Sequence, residues 1–295
     1  MKHLRIYAWA LVAALLVLPF APGRSANRSA AAAAPDGAAA SEGARAIEER
    51  RTPDNVRFGV IGVVGHKPAP TLFVFAHGLE VMRREPVYTE VTAIMSRQGW
   101  VSVVVEPPCH GEDVRPGEPE QLDGWRHRLE RGEDFVAASN AKATAILDRL
   151  VKEGVTDPQR VAAYGVSRGG FLAFHFAASE PRVKAAAGIS PVSKLTALRE
   201  FDGVAPRGKA VELDLARLAP KLAGRAVWLS IGNNDARVNT DDAIEFTRAV
   251  VRATASPEKP NDVIPVELLV GPAAGHSKIE HAHEKLGEWL LSRFL

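Results

Sequence analysis

The chain has 295 residues, 46% of them hydrophobic and 24% charged, with a formal charge of +2. That composition suits a globular protein with a sizeable core, in one large α/β domain or two small ones. Removing Lys2, Arg5 and Arg24 leaves 34 basic against 35 acidic residues, a balance that excludes electrostatic attachment to nucleic acid or an anionic membrane.

Lys2, His3 and Arg5 make a basic start to the apolar run Ile6 to Phe20, which Pro19, Pro22 and Gly23 break ahead of Ser25 and Ala26. This is the form of a cleaved secretory signal, assigned to residues 1–26. The run falls short of the ~20 residues of a membrane span. The protein is therefore expected to be secreted or periplasmic, without stable membrane association after cleavage. Residues 27–51, rich in alanine, serine and glycine, read as a flexible linker, and the folded domain is expected over 52–295. A single cysteine, Cys109, rules out an internal disulfide and reads as a packing residue.

Strand and helix patterns then alternate. Val56 to Val64 and Thr71 to Ala76 read as strands, the second ending at His77-Gly78. A helix is predicted over Val87 to Gln98, a valine-rich strand over Trp100 to Val105, and a long helix over Phe135 to Lys152. Arg160 to Tyr164 is a short buried strand, and Gly169 to Ala177 a buried helix. Val183 to Ile189 continues the sheet, and residues 192–222 carry no clear strand and read as a small insertion. Ala226 to Ile231, a helix through Asp242 to Val251, a strand over Val263 to Val270 and a helix from Glu284 to Leu295 close the chain. Strands separated by helices of this length imply a mostly parallel sheet with helices on both faces.

Between the Arg160 strand and the following helix lies Gly165-Val166-Ser167-Arg168-Gly169. A serine at such a turn is held in a strained backbone that only small neighbours allow, with its hydroxyl raised beside helix N-terminal amides. Ser167 is the candidate nucleophile. The bland alternative is a glycine-rich turn whose serine caps a helix. The candidate acid is Asp235, in Gly232-Asn233-Asn234-Asp235 after an apolar strand, whereas Asp241 and Asp242 look like helix-start residues. The candidate base is His276, on a glycine-flanked loop after the last strand, whereas His281 and His283 fall on an expected solvated face. Ser…Asp…His is the chain order expected of a triad built on an α/β sheet. The amides of Leu79, after His77-Gly78, and Arg168 are the expected oxyanion donors.

On these residues the stretch from about Pro70 to the C-terminus resembles an α/β hydrolase, similar to the dienelactone-hydrolase and prolyl-oligopeptidase-like branches. The resemblance implies the α/β-hydrolase fold and a serine hydrolase without metal or organic cofactor. The loop Glu106-Pro107-Pro108-Cys109-His110-Gly111-Glu112-Asp113 resembles the family's polar loop after its fourth strand. It lacks a second Cys/His pair at ligand spacing, so no metal is expected there. Trp125 reads as a packing aromatic.

The expected substrate is a small-molecule ester with a short acyl chain, because the insertion is charged and lacks the apolar face of a lipase lid. The alternatives are a peptidase of the prolyl-oligopeptidase kind, whose large N-terminal propeller a short linker leaves no room for, and a non-catalytic binding protein on the same fold. Acyl and alcohol specificity and oligomeric state are not legible at this level.

Overall fold

The computed structural model describes residues 46–204, 208–256, 258 and 262–294. The expected signal at 1–26 and most of the expected linker lie outside the described residues. No helix among the described residues is long and apolar enough to cross a membrane.

Eight strands form one sheet in the order β1-β2-β4-β3-β5-β6-β7-β8, where β1 is Glu48–Arg51, β2 Arg57–Ile61, β3 Ala69–Phe75, β4 Val101–Val105, β5 Thr156–Val166, β6 Val183–Ile189, β7 Ala226–Gly232 and β8 Val266–Gly271. β2 pairs antiparallel with both of its neighbours, β1 and β4, and every other pair is parallel. This is the α/β-hydrolase fold. The chain steps from β3 outward to β4 and then back across to β5, so the order reverses at β3. A crevice opens beyond the carboxyl ends of β3 and β5 at such a switch point.

Each face of the sheet is covered, which is why the central strands read as unbroken apolar runs rather than alternating ones. Phe73 and Phe75 of β3 pack with Trp125, Phe171, Phe174 and Phe176 on one side. Leu72 and Val74 pack with Met95, Trp100, Tyr164, Trp228, Leu286 and Leu290 on the other. Trp125 is fully buried and its indole donates to the Pro108 carbonyl at 2.7 Å, a packing aromatic as expected.

The structure departs from the sequence reading in four places. Glu48–Arg51, assigned to the tail of the 27–51 linker, is edge strand β1. It is fastened by side chains rather than by apolar burial: Arg51 donates to Glu112 at 2.6 Å, as does Arg57 of the neighbouring strand at 3.0 Å. The helix expected over Val87 to Gln98 is a 3-10 turn at Pro86–Tyr88 followed by the shorter helix Glu90–Ser96, and a separate helix, Leu79–Arg84, precedes them. Pro86 has no amide to continue a helix, so the chain restarts beyond it. The helix Gln121–Glu130 was not anticipated at all, and the insertion at 192–222 is a chain of short turns and two four-residue helices, Lys209–Glu212 and Ala219–Leu222. Its Val192, Leu195, Phe201, Leu215 and Leu222 join the core, so the described part of the insertion is packed down.

Candidate active site

β5 runs directly into Ser167, and the helix Arg168–Ser179 starts at the next residue. Ser167 has φ 53° and ψ −117°, a backbone that L-residues adopt only under constraint. The constraint is visible on both sides of it. Its amide donates to the Ile189 carbonyl at 2.9 Å, and its own carbonyl accepts from Val192 at 3.1 Å. Only glycine fits at two neighbours. A Cβ on Gly169 would fall inside the carbonyl of Phe75, and one on Gly165 would strike the backbone of Gly169. The elbow is thus pressed against the end of β3.

Asp235 and His276 come from the loops after β7 and β8 and meet Ser167 there. His276 Nε2 lies 2.9 Å from Ser167 Oγ, and His276 Nδ1 lies 2.8 Å from Asp235 Oδ2. The Asp235 side chain is wholly buried, and its other oxygen accepts the amides of Arg237 at 3.0 Å and Val238 at 3.3 Å. A carboxylate so held keeps the imidazole in the tautomer with Nδ1 protonated, leaving Nε2 free to accept the serine proton. Asp241 belongs instead to the start of Thr240–Thr254, where its amide donates to the Asn239 side chain.

One expected residue has a different job. The Leu79 amide donates at 3.0 Å to the buried carboxylate of Glu106 and is therefore spoken for. Gly78 is the N-cap of Leu79–Arg84, without a side chain to cap it, and Glu106 supplies the acceptor the first turn needs. Next door, the amide of His77 has no acceptor among the described residues, and neither has that of Arg168. Ala76, beside His77, lines the same cavity as Ser167 and Arg168. No side-chain pattern could have signalled this exchange of amides, since it depends on where Glu106 comes to rest.

The sequence also misplaced His283. It is buried, not solvated: its Nε2 is 3.0 Å from the Tyr164 hydroxyl and its Nδ1 faces Glu90, which also pairs with Lys278. His283 and Lys278 form part of the cavity wall behind His276. The loop after β4 is structural. Asp113 holds the Cys109 amide at 2.8 Å and pairs with Arg128 at 2.6 Å, and Glu118 pairs with Arg128 at 2.6 Å as well. Among the described residues no cluster of three or more His, Cys, Asp or Glu side chains is placed to hold a metal.

The cavity over Ser167 measures about 510 Å³. Val87, Leu122 and Ile189 give it apolar walls, and Arg168, Arg237 and Lys278 bring cationic side chains to it, with no carboxylate among the described residues that line it.

The model of the prolyl oligopeptidase family matches residues 142–294, just over half of the chain, with Ser167, Asp235 and His276 all inside the match. The chain belongs to the prolyl oligopeptidase family. No curated protein matches the sequence. Among solved structures, it is similar to Porphyromonas gingivalis dipeptidyl peptidase 4, with TM-score 0.60 and 18% identity over 84% of this chain and 35% of that one. The chain thus spans about a third of that peptidase. It is also similar to a cold-adapted esterase from an Arctic intertidal metagenomic library, at TM-score 0.59 and 18% identity, covering 84% of this chain and 92% of that one. A Klebsiella pneumoniae protein designated a dienelactone hydrolase gives TM-score 0.61 and 16% identity over 83% and 98%. At these identities the likeness is one of fold, which the peptidase and the esterase share.

Proposed function

We propose that the protein is a serine hydrolase that cleaves small carboxylic esters. The observation that carries this reading is the unbroken run of hydrogen bonds from Ser167 Oγ through His276 to buried Asp235. Ser167 attacks the ester carbonyl while His276 Nε2 takes its proton, and Asp235 stabilises the imidazolium that forms. The free amides of Arg168 and His77 receive the oxyanion, in place of the Leu79 amide. His276 returns the proton to the departing alcohol. Water then repeats the sequence on the acyl-enzyme and releases the acid.

Membership of the family favours peptide cleavage as a second reading. The cavity supports the ester reading over an aminopeptidase, because a substrate ammonium needs a carboxylate partner and none of the described residues that line this cavity is a carboxylate. The cationic side chains on its wall, Arg168, Arg237 and Lys278, favour short acyl groups over long apolar ones.

The test is labelling by a fluorophosphonate, with turnover of p-nitrophenyl esters from acetyl to decanoyl measured beside aminoacyl p-nitroanilides. Labelling at Ser167 and faster turnover of the shorter esters are expected, and Ser167→Ala should lose activity by orders of magnitude while staying folded. Wild-type turnover in Ser167→Ala would remove the nucleophile assignment. Anilides outpacing every ester would establish the peptidase reading instead.

A further inference from the structure

Three cations line the cavity over Ser167, and two of them are already answered. Arg237 donates to Glu200 at 2.6 Å, and Lys278 pairs with Glu90. Arg168, the residue next to the nucleophile, forms no salt bridge among the described residues. Its Nη1 is held by two neutral groups, the Gln121 side-chain carbonyl at 2.7 Å and His110 Nε2 at 3.1 Å. His110 is fixed as an acceptor there, because its Nδ1 sits 2.8 Å from the Pro108 carbonyl and must carry the proton. Burial, helped by the charge of Arg168 and by His77, pushes His110 down to about 3, so the ring stays neutral at working pH. The carboxylate whose field reaches Arg168 is Glu200, which Arg237 engages.

A guanidinium in this setting is oriented but not neutralised. Its Nε and Nη2 donate to nothing among the described residues, and neither atom is sealed from solvent. Partial burial pulls its pKa below the usual arginine value, as expected of a desolvated cation without a counter-charge. An arginine held at Nη1, with Nε and Nη2 left without partners among the described residues, keeps the side-on pair of donors that binds a carboxylate in bidentate fashion. Arg168 lines the same cavity as Ser167, beside Tyr88 and Leu122.

We propose that the physiological substrate carries a carboxylate a few bonds from the scissile carbonyl, and that Arg168 binds it. The inference rests on the hydrolase reading of Ser167 for its consequence but not for its site. An anion there supplies the missing counter-charge and anchors the ester while Ser167 attacks, so Arg168 selects substrates rather than acting on the reacting bond.

The experiment compares matched ester pairs on the full chain, after subtraction of spontaneous hydrolysis. One pair places the charge on the acyl side, p-nitrophenyl hemiglutarate against p-nitrophenyl valerate. The other places it on the alcohol side, 4-acetoxybenzoate against phenyl acetate. At least one pair should favour the anionic member by about tenfold or more in kcat/KM, as a charge-assisted hydrogen bond predicts. That ratio should fall towards one in Arg168→Gln and recover in part in Arg168→Lys. Calorimetric binding of glutarate to the wild-type protein needs neither turnover nor a variant. Saturable binding of glutarate, absent with neutral glutaramide, supports the site even where no ester is cleaved, an outcome that sinks only the hydrolase reading. Equal or faster turnover of both neutral esters in the wild type, or a ratio unchanged in Arg168→Gln, overturns the proposal and leaves that reading intact.

Discussion

Cys109 and Ser167 are both held at positive φ, 58° and 53°, yet only one of them is placed to react. Cys109 is fully buried, with its Sγ against Gly124, and loss of hydration pushes the thiol up to about 12. A thiol that keeps its proton is a poor nucleophile. Native protein at pH 8 should therefore resist iodoacetamide at Cys109 over hours and react at once in urea. Mass spectrometry reads the difference, and quick labelling without denaturant would mean that the loop opens. The proposed triad members were legible because each chemistry needs its own side-chain type, and because its place just after an apolar strand separates Asp235 from Asp241 and Asp242, which start a helix. Leu79 was misassigned for the converse reason. Oxyanion donors are backbone amides, which every residue but proline possesses, so only a tertiary partner such as Glu106 tells a free amide from an engaged one.

The turn from β3 into Leu79–Arg84 depends on that carboxylate. Glu106 lies at the end of β4, and burial raises its pKa even though the Leu79 amide and Arg57, 3.8 Å away, pull the other way. Glu106→Ala leaves the Leu79 amide buried without an acceptor, a cost of roughly 1–3 kcal/mol, while Glu106→Gln retains a carbonyl for it and should lose less. Urea unfolding of the two variants makes the comparison. The Ala variant should also hydrolyse esters more slowly, since the freed turn no longer fixes the neighbouring His77 amide. Equal stability of the Ala variant and the wild type would show that this carboxylate is not what holds the turn. At this scale the sequence conveyed the buried parallel strands well, because an apolar run bounded by turns has few other readings. It failed where polar contacts decide. β1 reads Glu-Glu-Arg-Arg and has no apolar alternation, so its membership of the sheet rests on ion pairs to residues distant in the chain. Within the insertion, apolar residues spread among charges gave no period, though the fold gathers them into the core.

The molecule as a whole should be sensitive to mild acid, and the sign follows from its buried histidines. His110 is kept at about 3 and His175 at about 4, in both cases chiefly by burial, against about 6.5 in an unfolded chain. His175 remains neutral with its Nε2 2.9 Å from the Leu213 carbonyl, in the core between the elbow helix and the insertion. As pH falls below about 6.5 the unfolded state takes up these protons and the native state does not, so stability drops with falling pH. The loss from each levels off only near its folded value. At pH 5 it amounts to on the order of 2 kcal/mol per group, from about 1.4 kcal/mol per pH unit. His283, also lowered by burial, acts in the same direction. Asp214 opposes them: burial raises its carboxyl to about 6, so the native state gains a proton first and recovers on the order of 1 kcal/mol at pH 5. The free energy of urea unfolding should consequently fall by roughly 2–3 kcal/mol between pH 7 and pH 5. His175→Gln, which keeps a donor for Leu213 but cannot titrate, should remove most of one histidine's share of that slope. A flat profile between pH 7 and pH 5 in the wild type would mean that these rings are protonated in the native state. In that case His110 could no longer accept from Arg168, and the guanidinium beside the nucleophile would have to be held by something else.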